Sequence, residues 1–261
     1  MAARATAEEF YSRCLGNVST LTAASRRLAE SGDAVQAVAL AWGADIYGVQ
    51  AVVWERLQVA SSYPQRQFFR VAEALVAEMS EVAWSADSDG SAAGLLRSMR
   101  TRMLSACDPA LREGVERAWG DESFLTAVPA PARGDFEAAV VQRTGGVRVG
   151  TFVTARRTAA ATAMGEAQAL RIKGQTVPAI QGAYDADLLA TEAYLVESAA
   201  AASDAFLLTV PIRWELATTA VATLPGLPEG FTAAVNRIRD TMAAALGDAD
   251  GVRLRETFPR I

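Results

Sequence analysis

Apolar residues recur at steps of three and four along most of the chain, and that spacing predicts helices. The clearest stripe is Trp42, Ile46, Val49, Val53, Leu57 and Ala60, one face of a helix with 3.6 residues per turn. Tyr63-Pro64 ends it and opens another helix, marked by Phe68, Val71, Leu75, Val76, Met79 and Val82. Phe231, Val235, Ile238, Met242 and Leu246 form a third stripe, with Gly247 as its stop.

Polar punctuation sets the remaining boundaries. Thr6-Ala7-Glu8-Glu9 is a capping box, opening a first helix that runs to about Glu30. Ser31-Gly32-Asp33 breaks it, and Asp33 can cap the next helix. Gly43 and Gly48 in that next helix permit close approach by a neighbour. The small polar segment 85–91 reads as a loop, followed by a helix over about Ala92–Ala106. Asp108-Pro109 supplies a cap and a first helical residue for a helix to about Trp119. An alanine-rich helix is expected over Ala155–Lys173, stopped by Gly174. Another follows Pro178 to about Asp204, a shorter one starts at Pro211, and Leu224–Gly230 is a turn cluster.

The texture changes in the middle. Val128-Pro-Ala-Pro-Ala-Arg-Gly134 reads as a surface crossing, and residues 139–153 alternate around Gly145-Gly146 as a β-hairpin does. The expected fold is therefore mainly α, a multi-helix bundle with a central β-hairpin. The expected regions are 1–127 (helical), 128–154 (crossing and hairpin) and 155–261 (helical), with one continuous domain left open. No repeat of fixed period is visible.

Composition narrows the partners. The chain is 51% hydrophobic and 21% charged, with a net charge of -5. That balance exerts no pull on nucleic acid, and no nucleic-acid partner is expected. No apolar run is long enough to span a membrane, and Glu8 and Glu9 stand where a secretory signal would be apolar, so a cytoplasmic location is expected. Cys14 and Cys107 are far apart in sequence, which suits a reducing compartment.

The chain has no histidine. Ser-His-Asp and Cys-His mechanisms, His-containing zinc sites and His-ligated haem fall away with it. Two distant cysteines cannot build an all-cysteine metal site. Lys173, the single lysine, precedes a glycine rather than following one, so it is no phosphate-loop lysine. Asp87-Ser-Asp89-Gly90 and Asp248-Ala-Asp250-Gly251 lack the remaining ligands of a calcium loop. No cofactor and no metal are expected. What survives is carboxylate and arginine chemistry: Glu78/Glu81, Glu113/Glu116, Asp185/Asp187, Arg156-Arg157 and the group Arg97, Arg100 and Arg102. The bland reading of these is a solvated helix face. The five tryptophans sit singly at helical positions, where core packing is the ordinary role. The candidate interface residues are Trp42, Trp54, Trp214, Arg148 and Phe152.

Residues 21–81 resemble phasins, helical proteins that coat polyhydroxyalkanoate granules. The residues carrying the resemblance are Arg26-Arg27-Leu28-Ala29-Glu30-Ser31-Gly32-Asp33-Ala34-Val35-Gln36, followed by a long amphipathic helix. The resemblance implies a granule or lipid-surface coat. The residues themselves favour a non-enzymatic structural, self-assembly or interaction protein, such as a shell, coat or adaptor subunit. Its partners would be further copies of the chain or other protein subunits. A helical enzyme or ligand-binding protein using carboxylates, arginines or a cofactor is the remaining class.

Overall fold

The computed structural model describes residues 7–57, 89–105, 109–143, 145–202, 206–228, 230–258 and 261. The expected helix over residues 64–82, Glu78/Glu81, Trp84 and Cys107 lie outside them. Among the described residues there are ten α-helices and no strand. They are α1 (Ala7–Glu30), α2 (Ala34–Leu57), α3 (Ala92–Ser105), α4 (Pro109–Ala118), α5 (Arg133–Arg143), α6 (Val149–Ile172), α7 (Thr176–Ala202), α8 (Phe206–Ala222), α9 (Phe231–Leu246) and α10 (Asp248–Thr257).

The expected hairpin is corrected. Residues 139–143 finish α5, and Val149 opens α6. Gly145 and Gly146 do reverse the chain, both at positive φ, but they close a helix: Gly146 N–H donates to the Val141 carbonyl at 2.7 Å. A glycine pair serves a helix C-terminus as readily as a hairpin turn. Val149, Phe152 and Val153 are all buried, a helical spacing hidden inside what reads as alternation. The Pro-rich crossing is anchored instead by a single bridge. Ala92 N–H donates to the Val128 carbonyl at 2.7 Å, and Ala130 N–H to the Gly90 carbonyl at 2.9 Å.

The chain divides into two compact units: Met1–Arg148 with Ser203–Leu208, and Val149–Ala202 with Thr209–Ile261. In the first, α2 is the central helix. Every residue from Ala41 to Ile46 is buried, so α2 is enclosed all round rather than apolar on one stripe. Asp33 caps it as expected, its Oδ1 accepting from Gln36 N–H at 3.1 Å. Gly48 lets α4 close on it: a Cβ there would lie 2.9 Å from the Ala118 carbonyl oxygen. In the second unit α7 takes the central place, with Ala179, Ala183 and Ala186 packed against Met164, Ala167, Phe231 and Val235.

The two units follow one plan. α1 and α6 are both 24 residues long, and each ends in a glycine at positive φ, Gly32 (85°) and Gly174 (75°). The closing hydrogen bonds match: Asp33 N–H to the Leu28 carbonyl at 2.9 Å, and Gln175 N–H to the Leu170 carbonyl at 3.0 Å. Counting from those glycines, Phe10 corresponds to Phe152, Ser25 to Ala167, Ala37 to Ala179, Ala44 to Ala186 and Asp45 to Asp187, and every member of these pairs is buried. With the count shortened by three residues, α3 and α4 correspond to α9 and α10, pairing Leu96 with Val235, Met103 with Met242 and Val115 with Leu254, all buried. Burial recurring at matched positions means the same faces are used twice.

Candidate functional site

The chemistry in both units centres on a buried aspartate in the central helix. Asp45 of α2 and Asp187 of α7 are each 0% exposed. An isolated buried carboxylate is costly, so each must be paired. Arg100 of α3 meets Asp45 with two hydrogen bonds, from Nε and Nη2, both 2.7 Å. Arg239 of α9 meets Asp187 identically, at 2.8 Å twice. The two-toothed geometry suits a planar guanidinium and a carboxylate. Each arginine also lies over an aromatic ring just past the next helix: Arg100 over Trp119 at 5.2 Å, Arg239 over Phe258 at 5.1 Å. Aspartate, arginine and aromatic ring thus recur as one clamp.

The first clamp has more partners. Arg100 Nη1 donates to Glu122 Oε2 at 2.5 Å, and Nη2 to the Gly120 carbonyl at 2.8 Å. Burial pushes the Asp45 carboxyl up to about 6, while the hydrogen bonds and charge of Arg100 pull the other way. The two hydrogen bonds from the Arg100 guanidinium favour the ionised form of Asp45. Asp187 is raised by burial too, and Arg239 opposes the rise.

The units differ one turn further along. In the first, Cys14 of α1 faces Gln50 of α2, its thiol donating to Gln50 Oε1 at 3.9 Å. Burial pushes the Cys14 thiol up to about 12, so it is a poor nucleophile at neutral pH. The matched residues of the second unit are Arg156 and Glu192, 3.1 Å apart. A neutral pair has become an ionisable one. Burial pushes Glu192 up to about 8, and the same burial lowers Arg156. Arg156 also stacks on Phe152 at 4.7 Å.

A third polar group completes the second unit. The Tyr194 hydroxyl donates to Asp250 Oδ1 at 2.5 Å, and Arg213 of α8 pairs with the same carboxylate. Asp250 lies in the first turn of α10, the helix into which the acidic sequence 248–251 folds.

The expected candidates are dispersed. Trp42 is fully buried in the first unit, Phe152 and Trp214 are buried in the second, and Arg148 is exposed. Trp54 lies on α2, its side chain outside the described residues. Arg97, Arg100 and Arg102 diverge: Arg100 is buried in its clamp and Arg97 is exposed near Glu122. Arg156 and Arg157 turn to different carboxylates, Glu192 and Glu197. Asp187 is buried while Asp185 is exposed, so they form no acid pair. Glu113 pairs with Arg117 on the surface of α4. Sequence reasoning missed Asp45, Arg239, Glu192 and the clamps. The available signal was a lone aspartate or glutamate inside an otherwise apolar helix, a residue type that is rarely buried unless paired.

Among the described residues no cluster of histidine, cysteine, aspartate and glutamate is arranged to hold a metal ion, and no helix is long and apolar enough to cross a membrane. No protein-family model matches the chain, and no curated protein or solved structure matches it significantly.

Proposed function

We propose that the protein is a non-enzymatic helical structural or interaction protein, a subunit of the shell, coat or adaptor kind. The observation that supports this most is the repeated clamp. The deepest charges in each unit, Asp45 with Arg100 and Asp187 with Arg239, hold helices together through paired hydrogen bonds, and each aspartate is enclosed by its own helices. Groups held this way fix the register of a scaffold. Light scattering on the purified protein tests the reading: mass rising with concentration, or a defined oligomer, is expected, and a clean monomer at high concentration would remove it.

A coat on an apolar surface is a second form of the same reading, the phasin-like one. Ile172 and Val177, flanking the turn between α6 and α7, are 86% and 67% exposed, and an apolar surface would meet them there. Partition onto polyester granules or lipid droplets is the expected behaviour. A protein that stays in the aqueous phase would leave only the first form.

A further inference from the structure

Because the two units share one plan, each is a control for the other. Where matched positions agree, the residues serve the fold; where they part, the second unit carries something the first lacks. One such position is the seam between the central helix and the helix that follows the clamp arginine's own, α2 with α4 in the first unit and α7 with α10 in the second.

In the first unit this seam is shut. Gly48 of α2 presses on Ala118 of α4, where an added Cβ would meet the carbonyl oxygen at 2.9 Å. Val52, one turn on, lies against Gly114, whose added Cβ would be 3.0 Å from it. The matched residues of the second unit are Ala190, Tyr194, Thr257 and Arg253. There α10 is seated against α9 instead, since Gly251 brings it so close that a Cβ would stand 2.5 Å from the Ala243 carbonyl oxygen. A cavity of about 350 Å³ opens, lined by Arg157, Ala160, Ala161, Ala190, Tyr194 and Thr257. That is in the range of small-ligand sites, about 300–1,000 Å³.

We infer that this cavity binds a small carboxylate with a short apolar body. Three alanine methyl groups and the Tyr194 ring make apolar walls, which suit a hydrocarbon body. Tyr194 cannot swing away, because Asp250 holds its hydroxyl and Arg213 holds Asp250. The Thr257 hydroxyl is committed to the Leu254 carbonyl at 2.7 Å. The cation in the lining is Arg157. Its partner Glu197 is half exposed, as Arg157 itself is, and a pair so wet is weak. A ligand carboxylate, partly shielded from water by the alanine walls, can displace Glu197 and take both donors of the guanidinium fork. In the first unit, where the seam is shut, the residue matched to Arg157 is Leu15, so the anion-binding group is present only where the cavity is.

The test is titration calorimetry on the full chain with octanoate, and 1-octanol as the uncharged comparison. Saturable binding of octanoate is expected, roughly threefold to fivefold tighter than of 1-octanol, the ratio one partly exposed charged contact supplies. Arg157→Met should bring the two ligands level. Ala190→Leu should abolish binding by filling the cavity; if that variant does not fold, Ala161→Trp closes it from an exposed position. Absence of octanoate binding overturns the inference. So does equal affinity for 1-octanol, or binding unchanged in the cavity-filling variant.

Discussion

Asp45 and Arg100 lie 55 residues apart in sequence and share two hydrogen bonds of 2.7 Å, and Asp187 with Arg239, 52 residues apart, repeats the arrangement in the second unit. Breaking such a pair leaves a buried charge without its partner. Asp45→Asn and Asp187→Asn should each cost about 3–5 kcal/mol. Replacing both members, Asp187→Leu with Arg239→Met, should cost much less than Asp187→Asn alone. The same double change at Asp45 and Arg100 should cost more, because Glu122 and the Gly120 carbonyl also lose their donors. Urea denaturation of the five proteins (parent included) checks the order.

Glu192 gives a pH signature. Its carboxyl rises from 4.5 to about 8 in the folded chain, through burial. Between those values the folded state keeps a proton that the unfolded state has released. The stability this contributes is complete below pH 4.5 and is lost as pH rises through about 8. Glu192→Gln stays neutral throughout, so its stability relative to the parent should climb steadily across that window. Parallel pH–stability curves would show that Glu192 is ionised in the fold.

The seam at Gly48 predicts losses of different origin in the two units. Gly48→Ala drives a methyl group into the Ala118 carbonyl, and overpacking of this kind costs about 1–3 kcal/mol. At the matched Ala190 the methyl group faces the cavity, so Ala190→Gly should lose only helix propensity, about 1 kcal/mol. Thermal unfolding of both variants reads the difference.

Gly32 and Gly174 should behave alike. Both have positive φ, 85° and 75°, and a Cβ at either meets nothing within 4 Å. The cost of alanine is then conformational alone, about 1–2 kcal/mol at each. Unequal costs, measured by urea denaturation, would mean the two turns are not equivalent.

Cys14 should be silent to thiol reagents. Burial raises its thiol to about 12 and its side chain is 1% exposed. In a Cys107→Ser variant, Cys14 is the only thiol left. Folded protein at pH 8 should then react with Ellman's reagent no faster than it unfolds, and urea should release the full signal.

Local order was legible because capping and periodicity act over a few residues. Gly32, Gly174 and Gly247 stop helices where expected, and Phe231, Val235, Ile238 and Met242 are the buried stripe of α9. Gly43 and Gly48 do admit close neighbours, the Arg143 guanidinium and the Ala118 carbonyl. The repeat was not legible. The clamp residues stand 55 apart in one unit and 52 in the other, which destroys a fixed period. Many of the remaining matches pair alanine with alanine, which an alanine-rich chain produces anyway. The hairpin misled because Gly145-Gly146 suits two kinds of reversal, and only packing separates them.

The sequence by itself determined a helical chain without histidine chemistry, since propensity, capping and composition are local or global properties that need no neighbours. The tertiary structure decided which charges are buried, which seam is shut and which stands open. Those outcomes depend on contacts across tens of residues. The field at Asp45 comes from Arg100, and the space beside Ala190 comes from where Gly251 seats α10. Burial and pairing belong to the assembled unit, and the letters that carry them look the same on a solvated face.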